Sequence, residues 1–136
     1  MTRNELRQVY RLRMRIAQQE EYLIGLRELK QSTERSLSPG GNNPQGSKRV
    51  ESIVIKIVSA EEKLQWLYEQ LDVAKSALRA CITAAISDRT LQRVLILRYV
   101  ECLTWTEISK ATELSRQWVY QLHKKYLETL ALHVKC

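Results

Sequence analysis

The strongest constraint on the fold is a regular spacing of apolar residues in the middle of the chain. From Val50 to Ala85 the steps alternate between three and four residues, and all eleven positions are apolar. The seam consists of Val50, Ile53, Ile57, Ala60, Leu64, Leu67, Leu71, Ala74, Leu78, Cys81 and Ala85. An apolar repeat of this kind is typical of a long helix that packs in a coiled coil. A second helix must therefore cover the seam.

Residues 2–37 provide that second helix. They contain no proline and a single glycine, Gly25. Their apolar seam, interrupted by Gln19 and flanked by Leu6, Tyr10 and Leu29, consists of Val9, Leu12, Ile16, Leu23 and Leu26. The pattern predicts an amphipathic helix that folds back on the later one as a long antiparallel hairpin.

The connection between the two helices is predicted at residues 38–47, SPGGNNPQGS, because prolines, glycines and asparagines make up most of it. Just beyond it, Val54, Ile55 and Val58 widen the apolar face of the second helix. Two helices alone bury one seam each, which leaves this wider face uncovered. We expect a second copy of the chain to cover it, so the sequence predicts a homodimer.

Three shorter helices are predicted after the hairpin. Ser87 or Asp88 caps the first, which runs through RTLQRVLILRYVEC. Thr104 and Glu107 have the spacing of a capping box and begin a short helix at about 105–112. Ser115 caps a last helix over 116–132. No strand-like alternation occurs, so the predicted fold is all-α: residues 1–86 form the hairpin for dimerisation or partner docking, and 87–136 form a carboxyl-terminal helix-turn-helix module.

Two helices joined by about three residues predict a helix-turn-helix. Its inward positions are expected to be Ile108, Ala111, Leu114, Val119, Leu122 and Tyr126, with His123 at the surface. Polar and basic side chains then remain on the outer face of the last helix, namely Arg116, Gln117, Tyr120, Gln121 and Lys124. Arginine and glutamine can read guanine and adenine in the major groove. Ser115 with the first helical amides, and Lys124 with Lys125, are expected to contact phosphates.

The charge of the chain also suits a polyanionic partner. Lysine and arginine number 22 against 15 acidic residues, a formal net charge of +7. Arg3, Arg7, Arg11 and Arg15 recur at every fourth position, so they share one helical face. This stripe is either a solvated face or an extension of the DNA-binding surface along the backbone, with Arg3, Arg7 and Arg11 as its contacts.

The stretch LTWTEISKATELSRQWVYQLHKKYLETL resembles region 4 of bacterial sigma factors, which reads the −35 promoter element. The preceding LQRVLILRYVEC is similar to the L-x-x-R-Y helix of that region. The resemblance covers roughly residues 88–132 and implies that Arg116, Gln117, Tyr120 and Gln121 face the bases. Glu113 departs from it by replacing a turn glycine, which predicts a positive φ at a non-glycine residue. Trp118 and Tyr120 stand where the family often has arginine.

The whole layout is similar to small basic proteins encoded by phages and integrated elements of Gram-positive bacteria, some of which regulate transcription. The resemblance implies a phage or prophage regulator that binds double-stranded DNA. Two alternatives stay open. One is a sigma-like adaptor that binds RNA polymerase and has weak DNA affinity of its own. The other is a small terminase subunit, in which the DNA-binding module usually comes first.

Several functional classes do not fit the residues. The sequence contains no paired acids, no nucleophile with its base and no phosphate-binding glycine loop. Neither an enzyme nor a small-molecule substrate is therefore expected. Cys81, Cys102 and Cys136 match no zinc spacing and no disulfide framework, so neither a metal nor a cofactor is expected. No apolar stretch of about 20 residues indicates a membrane span. We expect a cytoplasmic protein that is associated with the nucleoid when bound to DNA.

Overall fold

The computed structural model describes residues 3–37 and 44–132, and they form helices. The α-helices are α1 (Arg3–Arg35), α2 (Pro44–Ala85), α3 (Arg89–Leu95), α4 (Trp105–Thr112) and α5 (Arg116–Leu132), and a π-helical segment (Ile96–Val100) continues α3. No strand occurs within the described ranges, so the all-α prediction is confirmed at this level. None of the described helices is long and apolar enough to cross a bilayer.

The chain forms two compact units, one of residues 14–70 and one of residues 1–13 together with 71–136. The predicted domain boundary after residue 86 stays a prediction. In the first unit, Leu23 and Leu26 of α1 form a buried cluster with Ile53, Ile57 and Ala60 of α2. Apolar burial of this kind is the main stabilising contribution between two helices in water.

Polar contacts in the same unit show how α1 and α2 pair. The Gln19 amide donates a hydrogen bond to the Ala60 carbonyl over 3.2 Å, so the residue that interrupts the seam satisfies its polar group. Arg27 forms an ion pair with Glu61 at 3.2 Å. Tyr68, seven residues after Glu61 on α2, hydrogen-bonds to Glu20, which lies seven residues before Arg27 on α1. Later residues of α1 therefore meet earlier residues of α2.

The predicted seams are largely confirmed. On α1, Val9, Leu12, Ile16, Leu23 and Leu26 are all buried. On α2, ten of the eleven predicted positions are buried or half-buried, but Ala85 is exposed. Ile82 is fully buried in its place. The step of four from Leu78 to Ile82 fits the 3.6-residue period of an ordinary helix, so the strict 3.5-residue repeat ends before α2 does.

The predicted loop is too long at its carboxyl-terminal end. Helix α2 begins at Pro44, so residues 44–47 are helical, whereas residues 38–43 lie outside the described residues. Proline is well suited to the first position of a helix, because its missing N–H would have no acceptor there and its φ is already helical. A residue that indicates a turn by composition is here the first residue of a helix.

In the second unit, α3 is capped by Asp88, one of the two alternatives that the sequence predicted. Its carboxylate accepts hydrogen bonds from the amides of Thr90 at 2.9 Å and Leu91 at 3.4 Å. The helix then widens into the π-helical segment, whose end is marked by a hydrogen bond from the Glu101 amide to the Ile96 carbonyl. Insertions of π-helix often occur at functional sites.

The ends of α1 and α2 hold this π-helical segment in place. The Arg13 guanidinium donates to the Val100 carbonyl at 3.3 Å. From α2, Arg79 and Lys75 form ion pairs with Glu101 at 3.1 and 3.9 Å. The chain then turns at Cys102, whose φ of 57° is left-handed. The segment between α3 and α4 is thus positioned by residues that are distant in sequence.

Candidate nucleic-acid interface

Helix α4 begins at the predicted cap. The Thr104 hydroxyl accepts a hydrogen bond from the Glu107 amide at 3.2 Å, and Thr104 itself has an extended backbone. A threonine in this position satisfies one of the helical amides that has no acceptor within the helix. The predicted start of α4 at Trp105 and its end at Thr112 are confirmed.

The turn after α4 is held by side chains of α4 itself. Glu113 has φ 60° and ψ 20°, so the predicted positive φ is confirmed. The Ser109 hydroxyl donates to the Leu114 carbonyl, and the Leu114 amide donates to the Thr112 hydroxyl at 3.4 Å. These bonds fix the direction in which the chain leaves the turn and enters α5.

Helix α5 is capped by Ser115, as predicted. Its hydroxyl oxygen accepts a hydrogen bond from the Trp118 amide at 3.1 Å. By helix geometry, the amides of Arg116 and Gln117 have no acceptor within α5. The amino-terminal end of this 17-residue helix therefore combines free backbone donors with the positive end of the helix dipole.

A small apolar core determines which side of α5 faces inward. Val94 of α3, Ile108 of α4 and Val119 of α5 are fully buried against one another. The half-buried residues packed on this core are Leu97, Leu103, Trp105, Leu114 and Leu122. Tyr126 is buried as well, about two turns beyond Val119 along α5. The predicted inward positions of α5 are confirmed.

One predicted inward position is wrong. Ala111 is exposed, and its carbonyl accepts a hydrogen bond from Arg93 at 2.7 Å. The inward face of α4 is rotated towards Ser109 and Thr112, which are half-buried. Both hydroxyls are used in hydrogen bonds within α4 and its turn, so these polar residues can lie inside where the sequence pattern favoured alanine.

His123 is also not where the sequence predicted it. It is 8% exposed rather than a surface residue, and its ring packs on Tyr99 and Trp105, with ring centroids 5.5 and 4.7 Å away. The Tyr99 hydroxyl hydrogen-bonds to its Nε2 atom. Burial, and then repulsion from the Arg98 guanidinium, lower the pKa of His123 from 6.5 to about 4. The imidazole is therefore neutral at physiological pH.

The outer face of α5 carries the predicted DNA-binding residues, and the structure exposes every one of them: Ser115, Arg116, Gln117, Tyr120, Gln121, Lys124 and Lys125. No acidic residue lies between Ser115 and Lys125. Two large aromatic side chains share this surface, Trp118 at 51% and Tyr120 at 54% exposed. Tyr120 is supported by an edge contact with the Trp105 ring at 6.0 Å. The face is thus basic, amide-rich and aromatic.

The predicted backbone contacts lie elsewhere, at the start of α1. Arg3, Arg7 and Arg11 are exposed and line one cavity of about 560 Å³. Further lining residues, which the sequence did not predict to lie beside Arg3, Arg7 and Arg11, come from the π-helical segment and its turn: Arg98, Tyr99 and Cys102. No spacing in the sequence links residue 98 to α1, because only tertiary packing brings them together.

Comparison with known proteins does not assign this chain to a family. No protein-family model, curated protein or solved structure matches it. Its function is therefore argued from the residues and contacts described above.

Proposed function

We propose that this chain is a non-enzymatic, sequence-specific DNA-binding transcriptional regulator. In this proposal α4 and α5 form a helix-turn-helix, and α5 enters the major groove as the recognition helix. The resemblance of residues 88–132 to sigma factor region 4 supports it, and so do the two confirmed helix caps and the left-handed turn residue Glu113. A phage or prophage origin is part of the same proposal and rests on the resemblance alone.

The observation that carries the proposal is the outer face of α5. Arg116, Gln117 and Gln121 are exposed on it, while Val119 on the opposite side is fully buried. These side chains therefore project from a helix whose orientation is fixed by its core. Arginine pairs with two acceptors of guanine, and glutamine pairs with adenine, so the face has the donors and acceptors needed to distinguish bases.

Phosphate contacts are proposed for residues at both ends of this face. The amides of the first turn of α5 and the Ser115 hydroxyl suit a phosphate at the helix start. Lys124 and Lys125 are exposed two turns further along and would reach the backbone across the groove. Contacts of this kind position a protein on DNA and make affinity depend on salt, whereas the base contacts provide the sequence preference.

The architecture proposed for residues 1–86 is an antiparallel hairpin of α1 and α2. The pairing of Glu20 with Tyr68 and of Arg27 with Glu61 supports it, because the order of contacts reverses between the helices. The hairpin would bring two chains together as a homodimer. Two recognition helices would then meet half-sites separated by whole turns of DNA.

The proposal is tested by selecting bound fragments from genomic DNA with purified wild type, Arg116→Ala and Arg49→Ala. Arg49 is exposed on α2, so its removal matches the change in charge but not the position. We expect wild type and Arg49→Ala to enrich the same short motif. Loss of a bidentate base contact in Arg116→Ala should weaken binding to that motif by about 1–3 kcal/mol. Enrichment without any motif, and with equal salt dependence in all three proteins, would contradict base reading.

One observation favours a second function, that of an adaptor for RNA polymerase. Trp118 is 51% exposed on α5, and exposed aromatic residues are frequent at protein interfaces. We expect an adaptor to retain RNA polymerase in a pull-down from which DNA has been removed by nuclease, and Trp118→Ala to lose it. Retention of polymerase by wild type, together with no motif in the selection, would move the assignment to the adaptor.

A further inference from the structure

The cavity beside the start of α1 has a lining that the proposed DNA contacts of α5 do not use. It has a volume of about 560 Å³, and its ten lining residues include Arg3, Arg7, Arg11, Arg98, Tyr99 and Cys102. All of these residues belong to one compact unit of the chain. Cavities of roughly 300–1,000 Å³ are typical of small-molecule sites.

The lining is strongly and uniformly positive. Four of its ten residues are arginines and none is acidic. The ion pairs formed by Arg27, Lys30, Lys75 and Arg79 use Glu61, Glu34 and Glu101, and none of these residues lines the cavity. Cations that line one cavity repel one another, and Arg3, in the first turn of α1, also opposes the dipole of that helix. An anion in the cavity would relieve both effects.

Two of the arginines are held in position by neighbouring groups. Arg98 donates from one terminal nitrogen to the Leu103 carbonyl at 2.9 Å, and its guanidinium lies 4.3 Å from the centre of the Trp105 ring. Arg11 donates to the Asn4 side chain at 3.0 Å. A guanidinium has five N–H donors, so each retains donors for a ligand. Fixing the side chains beforehand lowers the entropic cost of binding.

The floor of the cavity is half-buried and carries further polar atoms. Burial raises the pKa of the Tyr99 hydroxyl, whereas the charges of Arg98, Arg7 and Arg3 lower it. His123 already hydrogen-bonds to the same hydroxyl and adds no charge. Leu6 and Leu127 complete an apolar wall. Anion binding would therefore depend on the arginines, with the floor limiting the size of the ligand.

We propose that this cavity binds a small anion that carries two or more phosphoryl groups. Arginine pairs with phosphate through two parallel N–H···O bonds, so four arginines match a ligand with several phosphate oxygens. The cavity is concave and has the volume of a small-molecule site, which favours a ligand small enough to enter it. The site goes beyond the proposed DNA reading, because it uses neither Arg116 nor Gln117.

The test is a calorimetric titration of the full chain, without DNA, with inorganic triphosphate at constant ionic strength. Arg7→Gln and Arg98→Gln each remove one cation from the lining, and Arg49→Gln is the matched control on α2. We expect wild type and Arg49→Gln to bind one triphosphate per chain with equal affinity. Each cavity variant should bind about tenfold more weakly, the effect of losing one charge-assisted pair.

A second measurement locates the bound anion. Cys102 lines the cavity and Cys81 does not, and both thiols are half-exposed. Slow alkylation followed by peptide mass spectrometry reports the two cysteines separately. We expect triphosphate to protect Cys102 and to leave the rate at Cys81 unchanged. Equal rates at Cys102 with and without triphosphate would overturn the assignment of the cavity, even if calorimetry detected binding.

A third measurement distinguishes a free ligand from the phosphates of DNA. If triphosphate does not bind wild type, while Arg7→Gln weakens binding to a duplex of unrelated sequence and reduces its salt dependence, the arginines serve the DNA backbone and the proposal is wrong. Triphosphate binding that is equal in wild type, Arg7→Gln and Arg98→Gln also overturns it. Loss of the DNA motif in Arg116→Ala is a separate result and has no bearing on this site.

Discussion

At the scale of single residues, His123 shows how tertiary contacts change what a side chain does. A histidine between Leu122 and Lys124 on an amphipathic helix is expected at the surface. In the structure it is enclosed by the rings of Tyr99 and Trp105, and the Tyr99 hydroxyl satisfies one of its nitrogens. A neutral imidazole is tolerated there because its polar atom has a partner. A protonated imidazole would lie near Arg98 and is disfavoured.

This burial predicts a stability that depends on pH. The pKa of His123 falls from 6.5 to about 4 on folding. Between these values the unfolded chain binds a proton that the folded chain does not, so acid favours unfolding. The stability is fully present above about pH 6.5 and is lost as the pH falls through about 4. We expect His123 to contribute a loss of about 2 kcal/mol between pH 7 and pH 4.5, measured by urea unfolding.

Other groups titrate in the same range, so the prediction concerns a difference between variants. His123→Gln keeps a hydrogen-bonding side chain but removes the titration, and should lose less stability on acidification than wild type. His133→Gln, which changes the other histidine of the chain, is the matched control. Equal pH dependence in wild type and His123→Gln would show that His123 is not buried as a neutral group.

At the scale of elements, the connection between α4 and α5 combines a well-capped geometry with one strained residue. The Thr104 and Ser115 caps and the hydroxyls of Ser109 and Thr112 are favourable local interactions. Glu113 is left-handed, which costs an L-residue with a side chain about 1–2 kcal/mol. The tight turn is therefore maintained by its neighbours rather than by the preference of Glu113 itself.

Replacement of the strained residue should stabilise the protein. We expect Glu113→Gly to raise the free energy of unfolding by about 0.5–1 kcal/mol, because the relief of strain exceeds the greater entropy of glycine in the unfolded chain. Lys110→Gly, at an exposed position inside α4, is the control and should lower it by about 1 kcal/mol. Chemical unfolding of both variants checks the prediction. A loss for Glu113→Gly as large as that for Lys110→Gly would contradict the left-handed turn.

At the scale of the whole molecule, the first question is what covers the apolar side chains left at the surface of α2. Ile55 is 69% exposed and Val58 is 49% exposed. The sequence pattern placed both residues on an apolar face that the two helices leave uncovered. Side chains of this size lose about 1.5–3 kcal/mol of favourable free energy each when they stay in water instead of being buried. A second copy of the chain is our proposed partner for this face.

The dimer is tested by light scattering of wild type, of Ile55→Lys with Val58→Lys, and of Val73→Lys. We expect wild type to have twice the 15.9 kDa monomer mass and the double variant to have the monomer mass. Val73 is similarly exposed on α2 but lies 18 residues, about five helical turns, beyond Ile55, so Val73→Lys should remain dimeric. A monomeric wild type at high concentration would refute the dimer, and an assembly of eight or more chains would favour the terminase alternative.

The sequence by itself determined the features that depend on neighbouring residues. Periodicity over the long helices and the caps Thr104 and Ser115 were predictable, since each follows from residues within a few positions of one another. The cap of α3 was narrowed to Ser87 or Asp88, and the positive φ of Glu113 was predicted from the resemblance to sigma factor region 4. The limits of α4 and α5 and the exposed face of α5 followed from the same local rules. Ala85 was misassigned because the strict apolar repeat ends before α2 does, and Pro44 because the loop-like composition continues into the first turn of α2.

Only the tertiary structure decided the features that depend on distant residues. It turned α4 so that Ser109 and Thr112 lie inward instead of Ala111, and it buried His123 against Tyr99. It also brought Arg3, Arg7 and Arg11 to the same cavity as Arg98, although 87 to 95 residues of chain separate them from it. The physical reason is that helix formation and capping are local interactions, whereas burial, hydrogen-bond satisfaction and charge clustering depend on which helices pack together.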